Sequence, residues 1–339
     1  MADNGSTSKG QLLTGIEIGS STVKVVIGEF LADDSIRLAG LGESPSLKVT
    51  KAEITDANMV HEQLVQALSM AERQAGTEIR EVYLAVSCGN IGSVNSVGSA
   101  LATGPDRAIG ELDVMNAVQN AKAYALPPDR RVLHYCDRRY IVDGNREVTN
   151  PLNQVGGKLA ADVHIVFGSY TSIENLCRLV EDTMGYPAED LAFSGIAAGY
   201  GTLTEEEMER GVLVIDIGAG TTKYVLFQGI GVFLSGQITV GTDHLANDLA
   251  VATGAPLIKA RNIVEKLDQH DASLVMNPDG RYRSIRIQLP GHGPVNIPTS
   301  TVEQILEARM KELFQIIHAD LTKRAALQRI SCPVTLVGG

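Results

Sequence analysis

Tryptophan is absent from this chain of 339 residues and aromatic residues make up only 4% of it, which removes the stacking platforms that single-stranded nucleic acids need. Basic residues are outnumbered, with 29 Lys and Arg against 40 Asp and Glu for a formal net charge of −11. Without a local basic patch, and the sequence has none, that balance repels phosphate backbones and acidic lipid surfaces. No nucleic-acid partner is expected. Cysteine is sparse: Cys88, Cys136, Cys177 and Cys332 are far apart and form no CxxC pair, so buried free thiols are expected instead of a zinc site or a disulfide framework. The 7 histidines are scattered without metal-ligand spacing, and no Ser-His-Asp triad can be read from their order. No apolar run approaches the roughly 20 residues of a membrane-spanning helix, and Met1–Gly10 is polar without a signal-peptide core, the pattern of a cytosolic chain.

What is present starts with length. At roughly 150 residues per domain the chain suits two domains, and 44% apolar with 20% charged residues is an ordinary globular balance. Compared with itself, the sequence shows one repeat. Residues 16–27 read IEIGSSTVKVVI and residues 215–226 read IDIGAGTTKYVL. The copies align without a gap: Glu17 on Asp216, Gly19 on Gly218, Lys24 on Lys223. Each predicts an apolar strand, a turn rich in Gly, Ser and Thr, and a second apolar strand, the pattern of a hairpin. A hairpin needs polar residues at its tip, but it needs neither an acid on the first strand nor so many small residues together. Small residues leave amides and hydroxyls open to phosphate oxygens, and an acid beside them can hold a hydrated Mg²⁺. Two copies, one per domain, suit two hairpins gripping one nucleotide. Competing phosphate motifs fail on spacing. Gly218-Ala219-Gly220 opens like a dinucleotide fingerprint, yet the third glycine is missing and the turn leads into a strand. No GxxxxGK[ST] occurs.

Along the chain, strands are expected around Phe30–Gly42 and Val82–Ser87, with a helix between them capped by Asp56, stopped by Gly76 and buried on Val60, Leu64, Leu68 and Ala71. Residues 88–161 break this α/β pattern with a Gly/Ser-rich stretch, a helix over 112–124 and a charged strand around 132–142, and predict a small α+β module inserted into the first domain. Val163–Phe167 is expected to return to the core, followed by a helix from Ile173 to Met184. In the second half, helices are expected over 241–253 and 260–267, strands over 282–289, and a long helix from Thr301 to about Leu327 opened by a capping box of Ser300 and Glu303.

The two hairpins resemble the phosphate motifs of the actin-like ATPases, and within that superfamily the chain is similar to the bacterial cell-division family FtsA. The specific stretches are Val82–Ser87 with Ser93 and Asn95, Arg131–His134, Tyr140–Gly144, Asn150-Pro151-Leu152, Val163-His164-Ile165, and Leu203–Glu207 leading into Gly211–Gly218. The resemblance implies an α/β, actin-like fold of two related domains around a nucleotide cleft, with a small α+β domain inserted in the first. Residues 1–11 would be a disordered tail, 12–87 with 162–205 domain IA, 88–161 the inserted domain IC, 206–249 with 328–339 domain IIA, and 250–327 domain IIB. Carried over, Gly19, Ser20, Ser21, Thr22 and Lys24 would form the first phosphate loop and Gly218, Ala219, Gly220, Thr221 and Thr222 the second. Glu17 and Asp216 would orient waters around Mg²⁺ beside ATP. Gly241-Thr242-Asp243 would lie near the nucleotide and Gly338-Gly339 would open the adenosine loop. Arg309 would pair with the acidic C-terminal peptide of FtsZ.

The same resemblance implies self-association into filaments and tethering of the FtsZ ring to the cytoplasmic face of the membrane at the division site. The membrane contact would come through a C-terminal amphipathic helix lying beyond Gly339, together with the rest of the adenosine loop. Two departures stand out: Lys223 where the family has an acid, and a helix Ala260-Arg261-Asn262-Ile263-Val264 without the Glu and Lys expected near the ribose and base. At most slow ATP hydrolysis is therefore expected. The alternatives are a PilM-type adaptor of pilus assembly and a small-molecule kinase of the same superfamily, in which a hairpin acid would be the base for a substrate hydroxyl.

Overall fold

The computed structural model describes residues 11–33, 35–265, 274–276, 282–288, 293–324 and 332–338. The first copy of the repeat forms β1 (Leu12–Ile18) and β2 (Thr22–Phe30), followed by β3 (Ile36–Pro45) and the two-residue strands β4 (Val49–Thr50) and β5 (Glu53–Ile54). Alternation decides which face is covered: Thr14, Ile16 and Ile18 of β1 and Val23, Val25 and Ile27 of β2 are buried on one side. Helix α1 (Ala57–Ala75) begins where Asp56 accepts a hydrogen bond from the Met59 amide and ends at Gly76 in the left-handed conformation. It buries Val60, Leu64, Leu68 and Ala71, as expected. Strand β6 (Tyr83–Val86) then joins the sheet.

The inserted block comprises β7 (Gly92–Leu101), α2 (Glu111–Lys122), β8 (Arg130–Val142), β9 (Arg146–Val148) and β10 (Lys158–Ser169). Its four-stranded sheet runs β7-β10-β8-β9, antiparallel throughout. The return strand read over Val163–Phe167 is not separate, because β10 continues unbroken from Lys158. Ser169 at its end caps α3 (Tyr170–Met184), which Gly185 closes. After α3 come β11 (Asp190–Phe193), α4 (Ser194–Thr202) and α5 (Glu205–Arg210). The first sheet therefore has the order β11-β6-β1-β2-β3, parallel across β11, β6 and β1 and antiparallel in the hairpin.

The second copy forms β12 (Val212–Ile217) and β13 (Thr222–Gln228), joined by β14 (Gly231–Ile238). Next come α6 (Thr242–Thr253), α7 (Leu257–Glu265), β15 (Leu274–Met276), β16 (Tyr282–Gln288), β17 (Pro294–Pro298), α8 (Thr299–Lys323) and β18 (Val334–Gly338). The sheet of this copy is ordered β14-β13-β12-β18 and a smaller one β15-β16-β17. Helix α8 starts at Thr299, directly after Pro298, with no side-chain cap, so the expected box of Ser300 and Glu303 does not form. Proline holds φ near the helical value and lets the chain enter the helix a turn-position earlier. The part of that helix expected past Arg324 lies outside the described residues.

Two compact units emerge. One takes the chain up to Asp216 with Lys223–Gln237 and Cys332–Val337; the other has Ile217–Thr222 and Ile238–Ser331. In the first unit the inserted block is tied to the first sheet by His134 of β8, whose Nε2 accepts the Phe193 amide hydrogen at 2.7 Å. An accepting Nε2 requires the neutral ring. Burial pushes the His134 pKa below its ordinary value of 6.5, with Asp190 partly opposing. A native pKa below the unfolded one gives stability that is full above the unfolded value and declines as pH falls through the native one. The thermal midpoint is expected to decline on going from pH 7 to pH 5.5, and His134→Gln, which cannot titrate, to flatten that decline. An equal pH slope in both proteins would rule out His134 as the source.

Candidate functional site

Both copies of the repeat close their turns with the same bond. The Gly19 amide donates to the Thr22 carbonyl at 3.0 Å, and the Gly218 amide donates to the Thr221 carbonyl at 3.0 Å. Each turn is then braced from outside. In the first unit, the Ser46 amide donates to the Ser21 carbonyl at 2.8 Å and the Ala52 amide to Ser20 Oγ at 3.1 Å. In the second, Thr242 and Asp243 donate their amides to the carbonyls of Gly218 and Ala219 at 3.0 and 2.9 Å, and the Thr222 hydroxyl donates to the Val240 carbonyl at 2.8 Å. Only glycine fits at 241: a Cβ there would stand 2.3 Å from the Gly218 oxygen and 2.4 Å from that of Ala219. Turns built this way keep their carbonyls occupied and can turn remaining amides and hydroxyls toward an anion such as phosphate. Thr222 is an exception among the expected loop residues, since its hydroxyl is committed to Val240.

The acids and lysines do not repeat as the sequence does. Glu17 and Lys24 are cross-strand partners in the first hairpin, but the Lys24 ammonium faces Glu43 of β3 at 3.8 Å, both half-exposed, a weak pair by its exposure. The aligned Lys223 is buried, with 7% of its side chain exposed, and its Nζ lies 2.9 Å from Asp216 Oδ2 and 3.8 Å from Glu17 Oε1. Asp216 and Glu17 are 14% and 35% exposed. All three belong to the first unit. A hydrated Mg²⁺ keeps several waters at about 2.1 Å and needs room for them beside its carboxylates. At this acid pair an ammonium fills that room, and the residues present do not fit the ion. Among the described residues no group of three or more His, Cys, Asp or Glu side chains could hold a metal.

Other expected residues lie apart from these. Asp243, after Thr242, pairs with Arg261 of α7 at 2.8 Å. Arg309 of α8 makes a two-pronged pair with Asp248 of α6, Nε to Oδ2 at 2.5 Å and Nη2 to Oδ1 at 2.8 Å, and also contacts Glu312. The Asp248 hydrogen bonds raise its pKa further above the ordinary arginine value. Gly338 ends β18 at φ +102°; Gly339 lies outside the described residues.

Sequence reasoning missed a polar network in the first unit that runs from the exposed Asn95 to the buried His164 and Ser235. His164 Nδ1 meets Asn95 Oδ1 at 2.6 Å, His164 Nε2 meets Ser235 Oγ at 2.8 Å, and the Ser93 hydroxyl donates to the Ser235 carbonyl at 2.6 Å. The row has the order of nucleophile, base and orienter, but its hydroxyl and ring are closed off, with His164 and Ser235 1% and 0% exposed, and it fastens β7 and β10 to β14. Beside it, Arg138 makes a two-pronged pair with Asp162 at 2.8 Å, shares that acid with Arg139 at 3.0 Å, and stacks 4.0 Å from the Phe233 ring centre. Ser93, Asn95 and His164 stood in distinctive stretches of sequence; nothing local marked Ser235 or Phe233.

These sheets and turns build the actin-like ATPase fold. A chain of the PilM-PilN type IV pilus biogenesis complex aligns with a TM-score of 0.63 at 17% identity, over 96% of this chain and 81% of that one. MreB5 of Spiroplasma citri bound to ADP aligns at 0.53 and 13% identity, over 97% and 85%. In sequence the chain is similar to the cell division protein FtsA. It is 29% identical to FtsA of Borreliella burgdorferi, over 97% of this chain and 79% of that protein, and 28% identical to FtsA of Pseudomonas aeruginosa, over 98% and 79%. Residues 89–167 match the SHS2 domain inserted in FtsA.

Removing one partner of a buried ion pair strands the other charge. Asp162→Ala is expected to destabilise the first unit by about 3–5 kcal/mol, and adding Arg138→Met to recover part of that loss. Urea unfolding followed by circular dichroism checks both; a loss under about 1 kcal/mol for Asp162→Ala would contradict the pairing.

Proposed function

We propose that this chain is an ATP-binding cell-division protein of the FtsA kind, which self-associates into filaments and tethers the FtsZ ring to the cytoplasmic face of the membrane, where later division proteins are recruited. The observation that carries the nucleotide reading is the pair of aligned turns closed by the same Gly-to-Thr hydrogen bond. The similarity to FtsA over nearly the whole chain supports the cell-division reading, and the shared fold with MreB5 bound to ADP supports the nucleotide. In this reading the turn residues Gly19–Thr22 and Gly218–Thr221 take the phosphates, and ATP acts mainly as a clamp and polymerisation switch. A magnesium ion would have to arrive on the nucleotide, because the acid pair holds Lys223. An acidic FtsZ peptide reaching Arg309 would compete with Asp248 for its guanidinium. No described helix is long and apolar enough to cross a membrane, and the tether proposed is a peripheral amphipathic helix.

A second reading is favoured by the likeness to the PilM-PilN complex: an adaptor that binds the tail of a membrane protein in place of FtsZ. Co-sedimentation of the full-length protein with an FtsZ C-terminal peptide and lipid vesicles separates the two. ATP is expected to increase both pelleting and peptide binding. If ATP alters neither, the cell-division mechanism fails. Gly241→Ala, which pushes a methyl group into two loop carbonyls, is expected to weaken ATP binding by about tenfold or more, equivalent to about 1.4 kcal/mol, measured by calorimetric titration.

A further inference from the structure

We propose that Lys223 is the resident cation of the Glu17–Asp216 pair: its ammonium takes the volume in which a hydrated divalent ion would bridge the two carboxylates, so the pair recruits no Mg²⁺. Three observations carry this. First, the Nζ is within ion-pair distance of both acids, 2.9 Å from one and 3.8 Å from the other, so a single point charge already serves as their common counter-ion. Second, the lysine is held there by its backbone. It lies in β13, flanked by β12 and β14, and its Cβ packs so closely on α4 that a Cβ at Gly195 would stand 3.0 Å away. A side chain buried to this degree cannot swing into water to admit an ion. Third, the aligned Lys24 does none of this and pairs with a half-exposed Glu43, so the arrangement belongs to one copy and does not follow from the repeat.

The chemical consequence concerns charge and geometry. A divalent ion would neutralise both carboxylates and hold ordered waters in an octahedral shell. One ammonium leaves the trio with a net charge of −1 and offers three hydrogen-bond donors in place of coordinated water. The pair can therefore hold the ends of its strands together but has no metal-bound water to aim. The further consequence, that nucleotide binding needs no divalent ion at these carboxylates, rests on the nucleotide reading given above; the role of the lysine does not.

The test uses the full chain free of nucleotide, with Mn²⁺ as the probe and the signal of unbound Mn²⁺ in electron paramagnetic resonance as the readout. The natural protein is expected to show no Mn²⁺ site that Glu17→Gln or Asp216→Asn removes. Lys223→Gln, which keeps a polar stem and removes the charge, is expected to gain one such site and to lose it again when Asp216→Asn is added. Its thermal midpoint is expected to rise with millimolar Mg²⁺, as a ligand binding only the native state requires, while that of the natural protein stays put. If Lys223→Gln folds only when Mg²⁺ is present, that dependence supports the assignment equally. A Mn²⁺ site in the natural protein that Asp216→Asn abolishes, or no gained site in folded Lys223→Gln, overturns it. ATP titrations in EDTA and in Mg²⁺ form a separate arm. Similar affinity in both for the natural protein and a Mg²⁺ requirement of about tenfold or more in Lys223→Gln support the proposal, whereas an equal requirement in both proteins counts against it. No ATP binding under either condition removes the nucleotide reading and leaves the Mn²⁺ result to decide the role of Lys223.

Discussion

One ammonium group joins the two copies of the internal repeat. Glu17 and Asp216 occupy aligned positions near the ends of β1 and β12, and both lie within ion-pair reach of Lys223. Two carboxylates brought together in a partly desolvated place repel each other, and a positive charge between them turns that repulsion into attraction. The first turn of the repeat begins two residues after Glu17, and Asp216 and Lys223 flank the second turn in sequence. The backbone on which the turn geometry depends is thus anchored by one buried lysine, while the turns themselves are braced separately, by Ser46 and Ala52 in one case and by the Gly241–Asp243 segment in the other.

The inserted SHS2 block obeys a similar logic with different chemistry. Its contact with β14 is largely polar and runs from the exposed Asn95 to the buried Ser235: the His164 ring joins the Asn95 amide to the Ser235 hydroxyl, and the Ser93 hydroxyl donates to the Ser235 carbonyl. Arg138 balances Asp162 and lies over the Phe233 ring. Buried polar groups are directional where apolar ones are not, so such a joint fixes orientation as well as contact. Small apolar clusters, around Ile109, Tyr140 and Leu159 and around Val163 and Ile165, hold the block itself together.

Much of this was legible in the sequence where the governing interaction is local. Helix α1 could be read from Asp56, Gly76 and a 3.6-residue apolar period because capping and periodicity act within a few residues. Both hairpins could be read because identical turn chemistry recurs at aligned positions. The misreadings came from groups whose partner is distant. The strand expected to return at Val163 already begins at Lys158 on β10, and Asp162 within it is paired with Arg138 and Arg139 of β8. Lys24 and Lys223 look equivalent, yet they part company because Gly195 lets α4 close over Lys223 while Lys24 remains on the surface facing Glu43. Ser235 carries no local mark at all; only folding brings it to His164. For α8, the expected cap at Ser300 gave way to an earlier start behind Pro298.

The continuity of β10 into α3 has a mechanical meaning. Strand residues end at Ser169 and helix residues begin at Tyr170, with Ser169 itself capping the helix, so the exit from the SHS2 block contains no linker. Hinges are a few loop or element-terminal residues that absorb changes in backbone angle, and here the junction offers only the strand end Ser169 and the helix start Tyr170, with no loop between them. The 12-residue strand β10, with register shifts against β8 at Asp162/Val163 and Val166/Phe167, therefore leads directly into a helix of the first unit. The block and α3 thus share one continuous run of regular structure within the first unit, with the Ser169 cap as its joint.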